Sequence, residues 1–476
     1  MKDPIEMINR RDFLFQMGVA TTGVALGFSG FQRRAQAFTT HGTLAAMRSS
    51  GFGELLPATT QNTGETFLAL PKGFQYKVLG KVGSNLSDGN KTPAAHDGMA
   101  CFQVGNELRL IRNHEVANGK LPEPGVAIGP NPYDETTAGG TTTLVIHPET
   151  LEVIKDFVSL SGTLINCGGG KTPWGSWISC EETTLGQAIR SDIAGKQTGG
   201  YPKPHGYCFE VFASANAAVE PVPLKAMGRF KHEAIAVDQS TGIIYLTEDA
   251  EAAGFYRFLP KRNQHLAEGG TLQMLKMKDK DAFDTRNGLK IGQRFAATWV
   301  TIDNPDPVTA DLDESAVYKQ GLRKGAAMFA RLEGAYSDDY GRIYFTSTNG
   351  GDNQGGQIWR YESNGKDEGI LTLIFESPSR ELLDMPDNIC LKPMSDLLFI
   401  CEDSDYVGLG GTSENYIRIL SPNGKMANFA KNIANGFQTS EFAGSTFSEN
   451  GKTLFVNLQA VGATFAIWGD WNTFKM

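Results

Sequence analysis

The chain has 476 residues and a formal net charge of −9, with 44 Lys and Arg against 53 Asp and Glu. This balance excludes a nucleic-acid scaffold as the main partner, because phosphate backbones bind basic surfaces. The 55 glycines and 21 prolines, with only 20% charged residues, favour many short strands joined by tight turns over helical bundles.

The N-terminus has the three parts of an export signal. A twin-arginine core, Asn9-Arg10-Arg11-Asp12-Phe13-Leu14, precedes a weakly apolar stretch from Met17 to Phe31 and an Ala-x-Ala cleavage site at Ala35-Gln36-Ala37. The apolar stretch is too short and too rich in glycine and threonine to span a bilayer. We therefore predict a signal peptide over 1–37, a periplasmic or secreted location and no transmembrane segment.

After this signal, 38–92 is a polar lead-in with one strand-like piece, Gln75-Tyr76-Lys77-Val78-Leu79. From about Pro93 a loose pattern of three strands recurs six times. It predicts an all-β, six-bladed β-propeller with short helical insertions, formed by 38–476 as a single domain. A pair of β-sandwiches is the alternative, which explains the hairpins but not the sixfold recurrence.

A polar insertion near 261–324 interrupts the recurring pattern. A short helix is predicted near Asp313 to Arg323, and another over Ser379 to Leu383. Loops of this kind carry specificity or a lid in many proteins, and a solvated excursion is the alternative.

A β-hairpin is predicted from Asn166 to Glu182. It begins with Cys167 before three glycines and ends with Cys180-Glu181-Glu182. Strand alternation allows at most one of Cys180 and Glu181 to face the channel, and we favour Glu182 over Cys180 as the contributor. Cys101 and Cys208 are predicted to lie in the core. Cys390 and Cys401 fall on predicted neighbouring strands and could form a disulfide.

Acidic residues recur at the two places where a propeller blade meets the channel mouth. The strand-one starts are Asp97, Cys167, Glu233, Glu333, Asp387 and Glu441. The strand-two ends are Asn113, Glu115, Glu181, Glu182, Glu248, Asp249, Glu402 and Asp403. So many like charges need compensation, which hard cations such as calcium provide, and a thiolate selects iron or zinc beside them. For any single carboxylate, a hydrogen bond to loop amides is the alternative.

Arg331 lies two residues before Glu333, so strand alternation predicts that both side chains share a face. A guanidinium beside cations could bind phosphate oxygens bidentately, and a salt bridge to one of the carboxylates is the alternative. His114 and His232 precede Glu115 and Glu233, and we expect them to support the site rather than to bind metal.

Several segments together resemble the PhoX-type bacterial alkaline phosphatases, over about Leu68 to Glu402. They are the twin-arginine start, Arg112-Asn113-His114-Glu115, Asn166-Cys167-Gly168-Gly169, Thr172-Pro173-Trp174-Gly175-Ser176-Trp177, Cys180-Glu181-Glu182, Gly228-Arg229-Phe230-Lys231-His232-Glu233-Ala234 and Arg331-Leu332-Glu333-Gly334-Ala335. The chain is shorter than the family members associated with this activity, which makes it a compact form.

The resemblance implies a six-bladed propeller whose channel holds two ferric ions and several calcium ions around an oxo bridge. By motif, Cys167, Glu233 and Glu333 look like ligands on the iron side, Glu115 and Glu182 look like calcium-bridging carboxylates, and Arg331 looks like the phosphate-binding arginine. The same resemblance extends, less closely, to Asn113, Asp249, Asp387, Glu402 and Glu441.

The predicted function is therefore a monomeric, metal-dependent phosphomonoesterase that uses Fe3+ and Ca2+, with Arg331, Glu333 and Glu233 in catalysis. The metals would orient a small phosphoester substrate and activate a hydroxide or oxo nucleophile. The alternatives are a calcium-dependent lactonase or phosphodiesterase, and a propeller that binds a partner without catalysis.

Overall fold

The computed structural model describes residues 44–117, 124–191, 195–404 and 414–475. The predicted signal peptide, 1–37, lies outside the described residues. The chain divides into two compact units, Met1–Ala46 and Met47–Met476, and the fold below is that of the second. In the part of the chain that the structure describes, no helix combines the length and apolarity needed to cross a membrane.

The second unit is built almost entirely from short strands. In chain order they are β1 (Leu55–Ala58), β2 (Leu68–Pro71), β3 (Gln75–Lys81), β4 (His96–Val104), β5 (Glu107–His114), β6 (Gly139–Ile146), β7 (Val153–Thr163), β8 (Asn166–Lys171), β9 (Ser176–Glu181), β10 (Ile189–Ser191), β11 (Gln197–Gly199), β12 (Cys208–Phe212), β13 (His232–Val237), β14 (Ile244–Glu248), β15 (Phe255–Pro260), β16 (Gly270–Met277), β17 (Arg294–Thr301), β18 (Leu332–Ser337), β19 (Ile343–Ser347), β20 (Gln357–Ser363), β21 (Gly369–Glu376), β22 (Pro386–Leu391), β23 (Leu398–Glu402), β24 (Tyr416–Leu420), β25 (Met426–Asn432), β26 (Phe442–Phe447), β27 (Thr453–Leu458) and β28 (Ala463–Trp468).

Helical structure is sparse, as predicted. The helix α1 spans Ala316–Arg323, inside the predicted range. Short 3₁₀ turns lie at Lys225–Met227, Leu266–Glu268, Val308–Asp311 and Trp471–Thr473. The second predicted helix, over Ser379 to Leu383, is wrong, because this segment forms turns that bring Ser377 Oγ within 2.7 Å of the carbonyl of Leu383.

The strands pair antiparallel in meanders whose first members are β4, β8, β13, β18, β22 and β26. These innermost strands pack side by side in chain order, and β26 returns to pack against β4. Strand β3 completes the last meander by pairing with β28, so the N-terminal side of the fold closes the sheet formed by the C-terminal strands. The arrangement is all-β and propeller-like, which confirms the predicted class.

The hydrogen-bonded sheets do not divide into equal units. In the described residues, four of them contain four or more strands: β4–β7, β26–β28 with β3, a six-stranded sheet and a nine-stranded sheet. The nine-stranded sheet arises because β17 pairs with both β16 and β21. Both β16 and β17 lie in the 261–324 segment, so much of the predicted insertion is sheet rather than loop.

Apolar side chains from neighbouring sheets form the core. One layer, for example, joins Leu110 and Leu144 of the β4–β7 sheet to Phe455 and Ala466 of the β26–β28 sheet. The innermost strands are buried along most of their length, so their polar side chains must bond internally or bind ions.

Candidate metal and phosphate site

Each innermost strand carries a β-bulge near its start. The pairing register shifts between His96 and Met99, Asn166 and Gly169, His232 and Ile235, Leu332 and Ala335, Pro386 and Ile389, and Ala443 and Thr446. A bulge leaves its extra residue outside the ladder and turns a side chain away from strand alternation. In the first five strands the residues at this place are Asp97, Cys167, Glu233, Glu333 and Asp387, which we call the bulge residues.

Glycine follows three of the bulge residues, Asp97, Cys167 and Glu333, because the innermost strands approach closely there. A Cβ on Gly168 would lie 2.3 Å from the carbonyl oxygen of Glu233, and one on Gly98 would lie 2.7 Å from that of Cys167. A Cβ on Gly334 would lie 2.6 Å from the carbonyl oxygen of Asp387. Each glycine therefore lets one bulge residue lie beside the next.

Three groups of possible ligand atoms lie within 4.8 Å of one another in the described residues. The groups are Asp97, Glu115 and Cys167; Cys167, Glu182 and Glu233; and Glu233, Glu333 and Asp387. Because Cys167 and Glu233 each belong to two groups, the set is one continuous arc across the first five innermost strands.

At the centre of this arc the Cys167 thiol is the hydrogen-bond donor to its carboxylate neighbours. Cys167 Sγ lies 3.3 Å from Glu233 Oε1 and 3.6 Å from Asp97 Oδ2. Glu233 Oε2 is buried and has no hydrogen-bond partner in the part of the chain that the structure describes. Burial, followed by the charges of Glu333 and Glu182, raises the pKa of Glu233 well above its ordinary value. Burial and the charge of Asp97 likewise raise the pKa of the Cys167 thiol.

A second set of side chains comes from residues just after the second strands, and we call these the rim residues: Glu115, Glu182, Asp249 and Gln459. Each donates its backbone N–H to the chain just before an innermost strand, at Ala95, Ile165, Lys231 and Glu441 respectively. Gln459 Nε2 also donates to Asp97 Oδ2 at 2.9 Å and to Glu115 Oε2 at 2.6 Å. Gln459 therefore joins two carboxylates of the arc across the closure of the fold.

Arg331 lies beside Glu333 in the arc. Its Nε and Nη2 contact Asp249 Oδ1 and Oδ2 at 2.8 and 2.9 Å, and Nη2 also lies 2.7 Å from Glu333 Oε1. The predicted proximity of Arg331 and Glu333 is present, but its cause differs. Arg331 precedes β18 and has φ 38°, so a left-handed turn rather than strand alternation brings the two side chains together.

Asn113 was predicted as a ligand, and its amide is used otherwise. Nδ2 donates to the carbonyls of Cys167 and Gly168 at 2.9 and 2.6 Å. Oδ1 accepts from Trp177 Nε1 at 2.9 Å and Ser179 Oγ at 2.8 Å. With both acceptor positions occupied, Asn113 holds the backbone of the Cys167 bulge instead of facing an ion.

Glu402, also predicted as a ligand, bonds to loop groups. Its Oε1 accepts from the backbone N–H of Asp384 and from Arg418 Nε, both at 2.9 Å. Glu181 and Glu248 occupy equivalent ends of β9 and β14, and we call these three the cap carboxylates. They realise the alternative of hydrogen bonds to loop amides, and they belong to none of the three ligand groups found among the described residues.

The other predicted positions fall outside the arc. Glu441 and Asp403 belong to none of the three ligand groups found among the described residues. The position of the bulge explains why Glu441 lies outside the groups. The bulge of β26 falls at Gly444 and Ser445, which offer no carboxylate.

All six cysteines are free and buried, so the possible Cys390–Cys401 disulfide is not formed. Cys401 is paired with Ile417 and Cys390 with Phe399, so these two thiols are not cross-strand neighbours. Cys180 and Cys208 are, with their Sγ atoms 3.6 Å apart, and Cys180 does not join the arc. His114 and His232 bond to the carbonyls of Ala94 and Gly228 and stay in supporting positions.

The donor set fits hard cations together with one softer ion. Carboxylate oxygens are the ligands that calcium prefers, and a single thiol among them suits iron or zinc. The position of Glu233 in two of the ligand groups, with a buried Oε2 that has no hydrogen-bond partner among the described residues, supports an ion here, because a buried carboxylate oxygen without a donor is costly. Glu402 Oε2 also has no partner there, but Glu402 belongs to none of the groups.

Comparisons with known proteins identify the family of this chain. The family model described as alkaline phosphatase PhoX matches residues 50–462. A solved structure titled Pseudomonas fluorescens PhoX in complex with vanadate, a transition state analogue, is similar with a TM-score of 0.65 and 18% identity, over 88% of this chain and 98% of that chain.

A gluconolactonase from Xanthomonas campestris has a TM-score of 0.39 and 11% identity, over 88% of this chain and 98% of that chain. No curated protein sequence matches. Because the family model spans most of the chain, this protein belongs to the PhoX family of alkaline phosphatases.

Proposed function

We propose that this chain hydrolyses phosphomonoesters with a mixed iron and calcium centre held by the bulge residues and by Glu115 and Glu182. The observation that carries the proposal is the continuous arc of carboxylates and one thiol, with Arg331 in contact with Glu333 of that arc. In this arrangement an arginine lies at the edge of a group of anionic ligands, where a bound phosphate would meet both positive ions and a guanidinium.

The residues divide the work by position. Cys167, Glu233 and Glu333 would hold the iron side, and Asp97, Glu115, Glu182 and Asp387 would hold calcium. When bound, these ions would neutralise phosphate oxygens and supply an activated, water-derived nucleophile. Arg331 would bind and orient the phosphoryl group, and burial of the arc would keep competing water away from the ligand atoms.

The experiment is a comparison of substrate classes on protein purified with iron and calcium. We expect turnover of a chromogenic phosphomonoester at alkaline pH, with slower turnover of a diester and none of a lactone. Arg331→Ala should lose at least ~100-fold of monoester turnover while keeping its metals. Preference for the lactone, or full monoester turnover by Arg331→Ala, would contradict the proposal.

The proposal includes a blade count of six and export by the twin-arginine signal over 1–37. Six meanders begin at β4, β8, β13, β18, β22 and β26, and a bulge recurs near the start of each innermost strand. These repeats support six structural units even though hydrogen bonds merge two of them into one sheet.

Fractionation of cells that express the full chain and an Arg10→Lys/Arg11→Lys variant tests the export signal.

A further inference from the structure

Asp249 and Ala250 contact Arg331 at both its side chain and its backbone. The Asp249 carboxylate receives Nε and Nη2 of the guanidinium at 2.8 and 2.9 Å. The carbonyl of Ala250 receives the backbone N–H of Arg331 at 2.8 Å. Two consecutive residues after β14 thus hold an arginine that belongs to the next innermost strand.

The backbone that these contacts hold is strained. Arg331 has φ 38°, in the left-handed region that side chains other than glycine rarely adopt. Its carbonyl is also fixed, because it accepts the N–H of Thr348 at 2.9 Å. Strain of this kind persists where surrounding contacts determine the conformation, and it concentrates at functional sites.

The two-point contact with Asp249 also fixes the plane of the guanidinium. A bidentate pair with a carboxylate allows one orientation, whereas a single contact allows rotation about it. The pair is largely removed from water, with Arg331 and Asp249 side chains 10% and 7% exposed. Glu333 lies on the same Nη2, so the arginine is oriented relative to a bulge residue.

Asp249 differs from the other acidic rim residues in its relation to the groups of possible metal ligands. Glu115 and Glu182 each belong to a group of possible ligand atoms, whereas Asp249 belongs to none of the groups found in the described residues. The carboxylate of Asp249 is directed at the arginine instead.

We propose that Asp249 is a positioning residue that holds Arg331 in the orientation that binds the phosphoryl group. This inference rests on the proposed phosphomonoesterase function. Asp249 lies outside the ligand arc. It would set the affinity for phosphate by orienting Arg331, which is not itself a metal ligand.

The test compares Asp249→Asn with the wild type, both loaded with iron and calcium. Inorganic phosphate binding is measured by calorimetry, metal content by elemental analysis, and KM and kcat with a phosphomonoester. We expect phosphate to bind at least ~10-fold more weakly and KM to rise by a similar factor, with iron and calcium unchanged. In an Arg331→Lys background the same change should add little, because lysine cannot form the bidentate pair.

Asp367→Asn is the matched control, because Asp367 contacts the buried Arg257 at 3.4 Å outside the arc. It should bind phosphate as the wild type does. The inference is wrong if Asp249→Asn binds phosphate normally, or if it loses metal, which would make Asp249 a ligand. A wild-type protein that neither binds phosphate nor turns over would overturn the proposed function itself, and the inference with it.

Discussion

The acidic bulge residues and the cap carboxylates carry the same functional group and lie at the same end of the sheets, yet their surroundings differ. Glu181 accepts backbone N–H groups from Leu164, Gly206 and Tyr207 and lies 2.6 Å from His205 Nδ1. Glu233 instead has a thiol at 3.3 Å and an oxygen without a partner. The two classes therefore differ in whether their oxygens lie within reach of other possible ligand atoms, and not simply in whether they have donors, since Asp97 accepts from Gln459 and Glu333 from Arg331.

The two remaining cap carboxylates follow the same rule. Glu248 Oε2 accepts from the N–H of Gly254 and from the hydroxyl of Tyr256, both at 2.8 Å. Burial raises the pKa of Glu248 to about 7 and that of Glu402 to about 7, and Arg418 opposes the shift at Glu402. Each of these carboxylates bonds to its own local groups, although Glu402 Oε2 has no partner among the described residues, whereas the bulge residues lie within reach of one another.

The largest expected effect is at the centre of the arc. Glu233→Gln keeps the shape of the side chain but removes the charge that would belong to two ligand groups. We expect phosphomonoester turnover to fall by at least ~100-fold, while thermal unfolding in chelator is no easier than for the wild type, since a buried charge has been removed. Turnover within a few fold of the wild type would make the two classes of carboxylate equivalent.

Removal of metal should act through the proposed ligands, which are the bulge residues with Glu115 and Glu182. Chelation of the wild type should abolish turnover and lower the melting temperature, because ligands that bind the folded state stabilise it by about 3 kcal/mol at roughly 100 times their Kd. Glu233→Gln should show a much smaller shift on chelation. Calorimetric scans with and without chelator measure both, and equal shifts in the two proteins would contradict the assignment.

Substitution of a cap carboxylate should lower the stability of the fold and leave turnover unchanged. Glu402→Gln leaves Arg418 buried without its anionic partner, and this should lower the free energy of unfolding by about 3 kcal/mol. Denaturant unfolding measures the loss. Metal content and turnover per folded molecule should match the wild type, and loss of metal would return Glu402 to the ligand set.

The smallest effect concerns pH and Glu181. Burial alone would lower the pKa of His205, but the charges of Glu181 and Asp134 outweigh it and raise the pKa to about 9. A raised pKa gives stability that is complete below the ordinary value of the histidine and is lost as pH rises through the folded value. Stability of the metal-loaded protein should therefore fall by ~2 kcal/mol between about pH 7 and about pH 9.

The aromatic neighbours of His205, Tyr133 and Tyr201, have raised pKa values and stay neutral over this range, so they do not supply the slope. His205→Gln should flatten the profile. An unchanged slope in that variant would show that another group carries the pH dependence.

The fold class and part of the candidate site could be predicted from sequence, because strand periodicity and the recurring acidic positions are local signals. The propeller-like class, Cys167, Glu182 and Glu233 as neighbours, and the proximity of Arg331 to Glu333 are examples. The pattern of a ligand followed by a small residue, as in Asp97-Gly98, was also visible, but its meaning depends on how closely two strands approach.

The parts that sequence did not provide depend on tertiary contacts. Strand alternation cannot foresee a bulge, so it gave the right neighbour for Arg331 by the wrong route. It also could not separate Glu402, which meets Arg418 only after β23 pairs with β24, from a residue that faces the channel. Gln459 carries no charge, so the pattern of acidic residues does not include it. Its role depends on closure of the fold, which places it between Asp97 and Glu115.

The most direct test of the central claim is the metal content of the wild-type protein, purified without chelator and analysed for all elements in parallel with Glu233→Gln and Glu402→Gln. We predict iron and calcium together in the wild type and in Glu402→Gln, and loss of iron from Glu233→Gln. A folded, active wild-type phosphatase that contains neither metal would contradict the claim that cations hold the bulge residues together.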